Sequence, residues 1–236
     1  MLEDILNQIL KDGRAEFELP HSTSSGQAEK GRITIRRLAL IDLENLKQLR
    51  HALSDRSREL VPCYPWDDEP KLHKALEHAI EKAVQKIDES YIMLADDEIA
   101  GHFFLWKARS NPHSQKYALE VPELGVMIAD KYQGLGLGSM AVKLLVALAK
   151  SMDKDAVELT TDKSNTAAWN TYLKAGFEYT GDINNPLEVD VTEAFSGEAR
   201  VVRTRVERQM AHIINQDKKS AILDYLAAKR EEAKNL

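Results

Sequence analysis

The chain has 236 residues, 43% of them hydrophobic and 30% charged, which suits one well-buried domain with additions better than two separate cores. Its formal net charge of −6 excludes a nucleic-acid binder that relies on a strongly basic surface, argues against adhesion to an anionic membrane and favours cationic small molecules. The one cysteine, Cys63, excludes an intramolecular disulfide, and no N-terminal stretch reads as a secretory leader, so a reducing cytoplasmic setting is predicted.

Leu2, Ile5, Leu6, Ile9 and Leu10 recur at helical spacing and predict a short amphipathic helix that ends near Gly13 and needs a partner surface. From 21 to 31 the Ser, Thr and Gly content predicts a flexible linker entered through Pro20, so residues 1–31 read as helix plus linker and a catalytic domain begins at Arg32. Residues 32–38 alternate β-branched side chains as a strand does, and Asp42 stands where it caps a helix containing Leu43, Leu46 and Leu49. Pro62, Pro65 and Pro70 break the helical pattern over 60–70, and Leu72, Leu76, Ile80 and Val84 restore it over 71–86. Runs at 91–95 and 99–107 flank Asp96, Asp97 and Glu98 as a hairpin. A turn at Asn111 and Pro112 leads to a long strand over 117–129, made irregular by Pro122.

After a glycine-rich segment come a helix at 139–152, a strand at 156–161, a helix at 166–175 closed by Gly176, and a strand at 177–180. The helix at 139–152 carries the most apolar run, but Lys143 interrupts it and it is too short to cross a bilayer. A long loop over 184–197 precedes a closing strand at 200–210. Ile222, Tyr225 and Leu226 then mark a C-terminal helix within 213–236, which packs on the N-terminal helix or on a second subunit of a homodimer.

The segment Gln133-Gly134-Leu135-Gly136-Leu137-Gly138 lies between the apolar run 124–129 and the helix that follows. Its glycines let the backbone approach a ligand closely, and the helix turns free N–H groups and its positive dipole end toward the loop, so a phosphate belongs there. A mononucleotide P-loop is excluded because Gly138 is followed by Ser139 and Met140 rather than by Lys and a hydroxyl residue. A dinucleotide loop would follow its strand directly and open the chain's first strand–helix unit. Here Asp130 to Gln133 intervene, although Glu158 falls near the distance of a ribose-binding acid.

The spacing Gln-x-x-Gly-x-Gly at Gln133, Gly136 and Gly138 is followed, one helix and one strand later, by Asn165, Ala168, Tyr172, Gly176 and Phe177. The two blocks resemble the motifs of the GNAT superfamily of acyl-CoA-dependent N-acyltransferases, over about residues 32–212. The resemblance implies an α/β fold with a strongly twisted mixed sheet, helices on both faces, and extra helices at the two ends. It also implies an N-acetyltransferase that moves an acetyl group from acetyl-CoA to a primary amine, either a small cationic amine or a peptide amino group, by direct attack in a ternary complex. A catalytically silent acyl-CoA-binding sensor or interaction module is the alternative, since binding requires the loop but no proton-transfer group.

The resemblance also implies roles for residues. Val126, Met127 and Ile128 offer a main-chain edge to the pantetheine as an added strand would, and Gln133, Gly134, Leu135, Gly136, Leu137, Gly138 and Ser139 present N–H groups to the pyrophosphate. Asn165 contacts the cofactor, and Tyr172, two helical turns further on the same side, protonates the departing thiolate. Glu123 deprotonates the amine, with Glu120 and His102 as substitutes, unless the ammonium loses its proton before binding; partial desolvation would suit Glu123 to that role. The acceptor-facing residues are Tyr64, Trp66, Asp67 and Asp68, with Glu69, and in the loop before the last strand Glu188, Asp190 and Glu193. Aromatic faces and carboxylates together suit an ammonium. The seven histidines show no ligand spacing and Cys63 has no neighbouring base, so neither a metal nor a cysteine nucleophile is expected.

Overall fold

Strands β1 (Arg14–Ser22), β2 (Ala28–Arg37), β3 (Glu89–Ala95), β4 (Glu98–Trp106), β5 (Glu123–Ile128), β6 (Ala156–Asp162), β7 (Glu178–Asp190) and β8 (Arg200–Ile213) form one sheet in the order β1-β2-β3-β4-β5-β6-β8-β7. The computed structural model describes residues 1–22, 28–107, 116–190 and 200–235. Neighbours are antiparallel except β5 and β6, which run parallel and meet at a single register, Glu123 opposite Glu158. Helices α1 (Leu2–Asp12), α2 (Leu43–His51), α3 (Asp55–Leu60), α4 (Glu69–Val84), α5 (Leu137–Ser151), α6 (Thr166–Lys174) and α7 (Lys219–Glu232) cover both faces. Among the described residues, no helix is long and apolar enough to cross a membrane.

Side chains alternate across each strand and so build two cores. On one face, Val157 and Leu159 of β6 and Met210 of β8 join α5, α1 and Tyr172 of α6. On the other, Ile92, Phe104 and Met127 pack under α2 and α4, while Ala156 and Ala211 pack under Ile222, Tyr225 and Leu226 of α7. Each terminal helix therefore covers its apolar face on its own chain, Ile5 and Ile9 of α1 being almost fully buried in the first core.

Several expectations need correction. The proposed linker at 21–31 overlaps β1 and β2, which pair from Arg14 opposite Arg36 outward; residues 23–27 lie outside the described part. The long strand at 117–129 shortens to β5, because Pro122 has no N–H for a ladder and the chain before it instead borders the start of β6, with Asp155 N–H bonding the Glu120 carbonyl at 2.9 Å. The turn at Asn111 and Pro112 lies outside the described residues. The loop at 184–197 gives way as far as Asp190 to β7, which continues past Pro186. As the sheet's outer strand, β7 tolerates a proline that a central strand would not.

Asp42 precedes α2 but its side chain makes no cap bond to that helix. Fully buried, it accepts two bonds from Arg36 (2.6 and 2.7 Å), one from Asn45 (3.0 Å) and one from the Ala39 N–H (2.9 Å). Burial pushes its carboxyl up, but these donors outweigh burial and hold it below the usual carboxylate range. A folded-state pKa below the unfolded one gives stability that is complete above about pH 4 and is lost as pH falls further. Asp42→Ala, which strands the Arg36 guanidinium, is expected to cost roughly 3 kcal/mol at pH 7 and progressively less below pH 4, measured as urea-unfolding midpoints across that range.

Candidate active site

Past Glu123 and Glu158, β5 and β6 diverge, and the edge of β5 that faces β6 carries no further ladder. An unpaired strand edge inside a sheet is costly unless something else bonds it, so the divergence is a place prepared for a ligand's amides. A cleft of about 410 Å³ opens there, lined by Val126, Met127, Ile128, Gln133, Gly134, Gly136, Gly138, Ser139, Asn165 and Tyr172 among the residues expected from the sequence. Leu135 and Leu137 do not line it: the first is exposed and the second is buried in the core.

The glycine loop leaves β5 through a short 3-10 turn, Asp130–Tyr132, and enters α5 with Gly136 as the N-cap. Gly136 has φ of +84°, a conformation that side chains disfavour. Gly138 differs, because its φ lies outside that region and a Cβ there would come no nearer than 3.7 Å to Ile128. Folding does not require glycine at 138, which leaves close approach of a ligand as the physical reason for it. The first turn of α5 has no side-chain cap and no acidic residue, so its N–H groups and the dipole's positive end remain available to an anion.

One wall of the cleft went unread in the sequence. Leu53, Ser57, Leu60 and Val61 come from the segment between α2 and the end of α3, and Val142, Ala167, Ala168 and Thr171 line the cleft as well. Asp130 clasps this wall to the glycine loop, its carboxylate accepting from Ser57 Oγ (2.7 Å), the Ser54 N–H (3.1 Å) and Gln133 Nε2 (3.0 Å). The nearest sequence signal was the Ser54-x-x-Ser57 cap of α3, which carries no functional mark of its own.

Asn165 caps α6, its Oδ1 accepting from the Ala168 N–H at 3.1 Å. Tyr172 is buried and faces the cleft, yet its hydroxyl bonds no described residue. Burial first, and the charge of Glu207 second, push this phenol up to about 12, so it stays protonated across the neutral range and has a proton to donate.

The remaining expected residues lie apart from the cleft. Glu123 sits where β5 and β6 still touch, and alternation turns it to the face opposite Tyr172, near α7; burial, then Glu158, then Glu123 push the Tyr225 phenol up. Exposed Glu120 pairs with Lys154, whose hydrogen bond holds it below its usual range. His102 is fully buried against Tyr64 and Phe104, its Nε2 is 2.8 Å from Ser90 Oγ, and burial drives the imidazole down to about 3, so it is neutral. Tyr64 and Trp66 are core residues, and Trp66 Nε1 donates to the Val61 carbonyl at 2.7 Å, bracing the cleft wall from behind. Exposed Asp67 stands at the surface, and Asp68 caps α4 by accepting from the Lys71 N–H. Glu193 lies outside the described residues, and so do the side chains of Glu188 and Asp190.

Comparison with known proteins agrees with this geometry. The profile described as "Acetyltransferase (GNAT) family" matches residues 53–177, over half of the chain. Among solved structures, the ribosomal-protein-S5-alanine acetyltransferase from Vibrio fischeri is similar with TM-score 0.59 and 13% identity, covering 86% of this chain and 98% of its own. A ribosomal-protein-alanine N-acetyltransferase from Brucella melitensis gives 0.57 and 15%, covering 76% and 99%. The microcin C7 self-immunity acetyltransferase MccE, solved with acetyl-CoA and AMP, gives 0.58 and 13%, covering 77% and 92%. At these identities the likeness speaks to fold alone. No curated protein matches the sequence significantly. The profile match, together with a glycine loop and a buried tyrosine on one cleft, makes the chain a member of the GNAT acetyltransferase family, the acetyl-CoA-dependent N-acetyltransferases.

Proposed function

We propose that this enzyme passes the acetyl group of acetyl-CoA directly to a primary amine, of a small cationic molecule or of a peptide, with both substrates bound together. The observation that carries the reading is Tyr172, which lines the cleft and whose hydroxyl is held protonated and bonds none of the described residues. A binding module has no use for such a group, whereas a thiolate leaving at neutral pH is helped by a positioned acid. Of the similar structures, the two ribosomal-protein-alanine acetyltransferases support including peptide amino groups among the acceptors.

The β5 edge at Val126, Met127 and Ile128 takes the pantetheine amides, and the N–H groups of the glycine loop and the first turn of α5 take the pyrophosphate. Holding the thioester along one strand converts a bimolecular encounter into attack within a fixed geometry. Tyr172 then supplies the proton to sulfur. Coenzyme A release, measured with a panel of small amines and short peptides, tests the reading; tight acetyl-CoA binding without turnover on any of them overturns it.

Two substitutions separate binding from chemistry. Gly138→Ala adds helix propensity at the start of α5 and is expected to leave stability unchanged or raised by up to about 1 kcal/mol, while weakening acetyl-CoA about tenfold or more, measured by thermal unfolding and calorimetry. Tyr172→Phe is expected to lower kcat about a hundredfold with acetyl-CoA affinity nearly intact, measured by steady-state kinetics and the same calorimetry.

A further inference from the structure

Leu60, the last residue of α3, is apolar and yet has no place in the interior. Among the described residues it packs into neither core and not under α7, and α3 itself has no buried residue. It lines the cleft instead. The chain on each side of it is anchored: the Glu59 carbonyl accepts from Arg205 of β8 at 2.8 Å, and the Val61 carbonyl accepts from Trp66 Nε1 at 2.7 Å. Arg205 is fixed in turn by Asp162 (3.1 Å) and Glu207 (2.9 Å), and Trp66 is buried against Tyr64. Two donors from distant parts of the chain thus converge on the peptide units flanking one leucine. Core filling does not call for this, whereas a ligand surface held at a fixed distance does.

The neighbours of α3 give its direction along the cleft. Ser54 and Ser57, at its start, bond Asp130 beside the glycine loop. Past its end, Tyr64 stands edge-on to both Trp66 and Trp106, and Trp106 is the register partner of Glu123 at the closed base of the divergence. The helix therefore runs from the loop toward the base, about 9 Å for its six residues. A thioester with its pyrophosphate on the loop and its amides along β5 brings its acyl group to the far end, against Leu60 and Val61.

Hydrocarbon is all that these two side chains offer. Among the described residues, no charged side chain lines the cleft. Of the polar ones, Ser57 donates to Asp130 (2.7 Å), Gln133 to the Ile128 carbonyl (3.0 Å) and Thr171 to the Ala167 carbonyl (2.9 Å). A carboxylate carried on the acyl group would lose its water at this wall and find no cation in exchange. That penalty is far larger than the effect of one methylene more or less.

We propose that Leu60 and Val61 are the seat of the acyl group and decide which thioesters the enzyme uses. Short uncharged acyl groups are accepted, and those ending in a carboxylate, such as malonyl or succinyl, are refused. The assignment rests on the acetyl-transfer reading above and adds the scope of the donor to it.

With an amine that the wild-type enzyme acetylates, kcat/KM for propionyl-CoA is expected to lie about tenfold below that for acetyl-CoA, the usual effect of one methylene in an apolar pocket. Succinyl-CoA is expected at least about a thousandfold below. Leu60→Ala brings propionyl-CoA level with acetyl-CoA while succinyl-CoA stays unused, and Val61→Ala, whose anchored carbonyl belongs to the main chain, moves the same ratio the same way. Donor ratios are read within one protein, so a variant that is only less active does not shift them. Calorimetry on the wild type needs no acceptor and is expected to give succinyl-CoA about tenfold weaker affinity than acetyl-CoA. Succinyl-CoA used within tenfold of acetyl-CoA, or a propionyl-to-acetyl ratio that stays within twofold of wild type in both variants, overturns the assignment alone. A wild-type protein that binds acetyl-CoA but acetylates no amine overturns the reading beneath it; the affinities then test the seat by themselves, and equal binding of acetyl-CoA and succinyl-CoA overturns it as well.

Discussion

Two parallel strands that touch at one register and then part are the constraint on which the molecule depends. Once Glu123 has met Glu158, the backbone of β5 faces a gap in place of a neighbour, in the middle of an eight-stranded sheet. Unpaired main-chain groups are ordinarily confined to outer edges, where water satisfies them. Placing them inside requires both strands to be held by other means: β5 by six register pairs with β4, and β6 by seven with β8. The cost of leaving ladder bonds unmade is thus spread over the flanking strands, and a ligand that bonds like a strand recovers it.

The same divergence organises the electrostatics. On the proposed reading, a protein of net charge −6 receives a polyanion through main-chain N–H donors and a helix terminus with no acid in its first turn, rather than through lysines and arginines. Local dipoles act over a few ångströms, and the net charge acts on the approach of other molecules through screened solvent. Carboxylates meanwhile collect on the opposite face, with Glu207 and Asp162 sharing Arg205 and Glu158 taking Lys229.

Rigidity is supplied by residues that never touch the cleft. Gly125 lets the Phe104 ring lie across β5, where a Cβ would fall 2.2 Å from its nearest atom, and Phe104 stacks on Trp106 at 4.0 Å. Trp66 holds the Val61 carbonyl, and Asp130 ties α3 to the glycine loop. Tyr64 and Trp66, chosen from the sequence as faces for an ammonium, serve as this bracing. Burial explains the misreading: an aromatic next to acidic residues in a proline-rich stretch looks the same in sequence whether its ring points outward or under the sheet.

Sequence alone determined what is local. Helical periodicity located α1, α4, α5 and α6 to within two residues at each end, and two motifs whose residues lie a turn or a loop apart specified the family and pointed to residues that the structure lines along one cleft, because the contacts within each motif are between near neighbours. Tertiary structure decided what depends on strands meeting: that 21–31 pairs rather than dangles, that Glu123 stays at the closed base of the divergence, and that α3 walls the cleft. Strand pairing joins residues far apart in the chain, and no periodicity or spacing records which edge will find which partner.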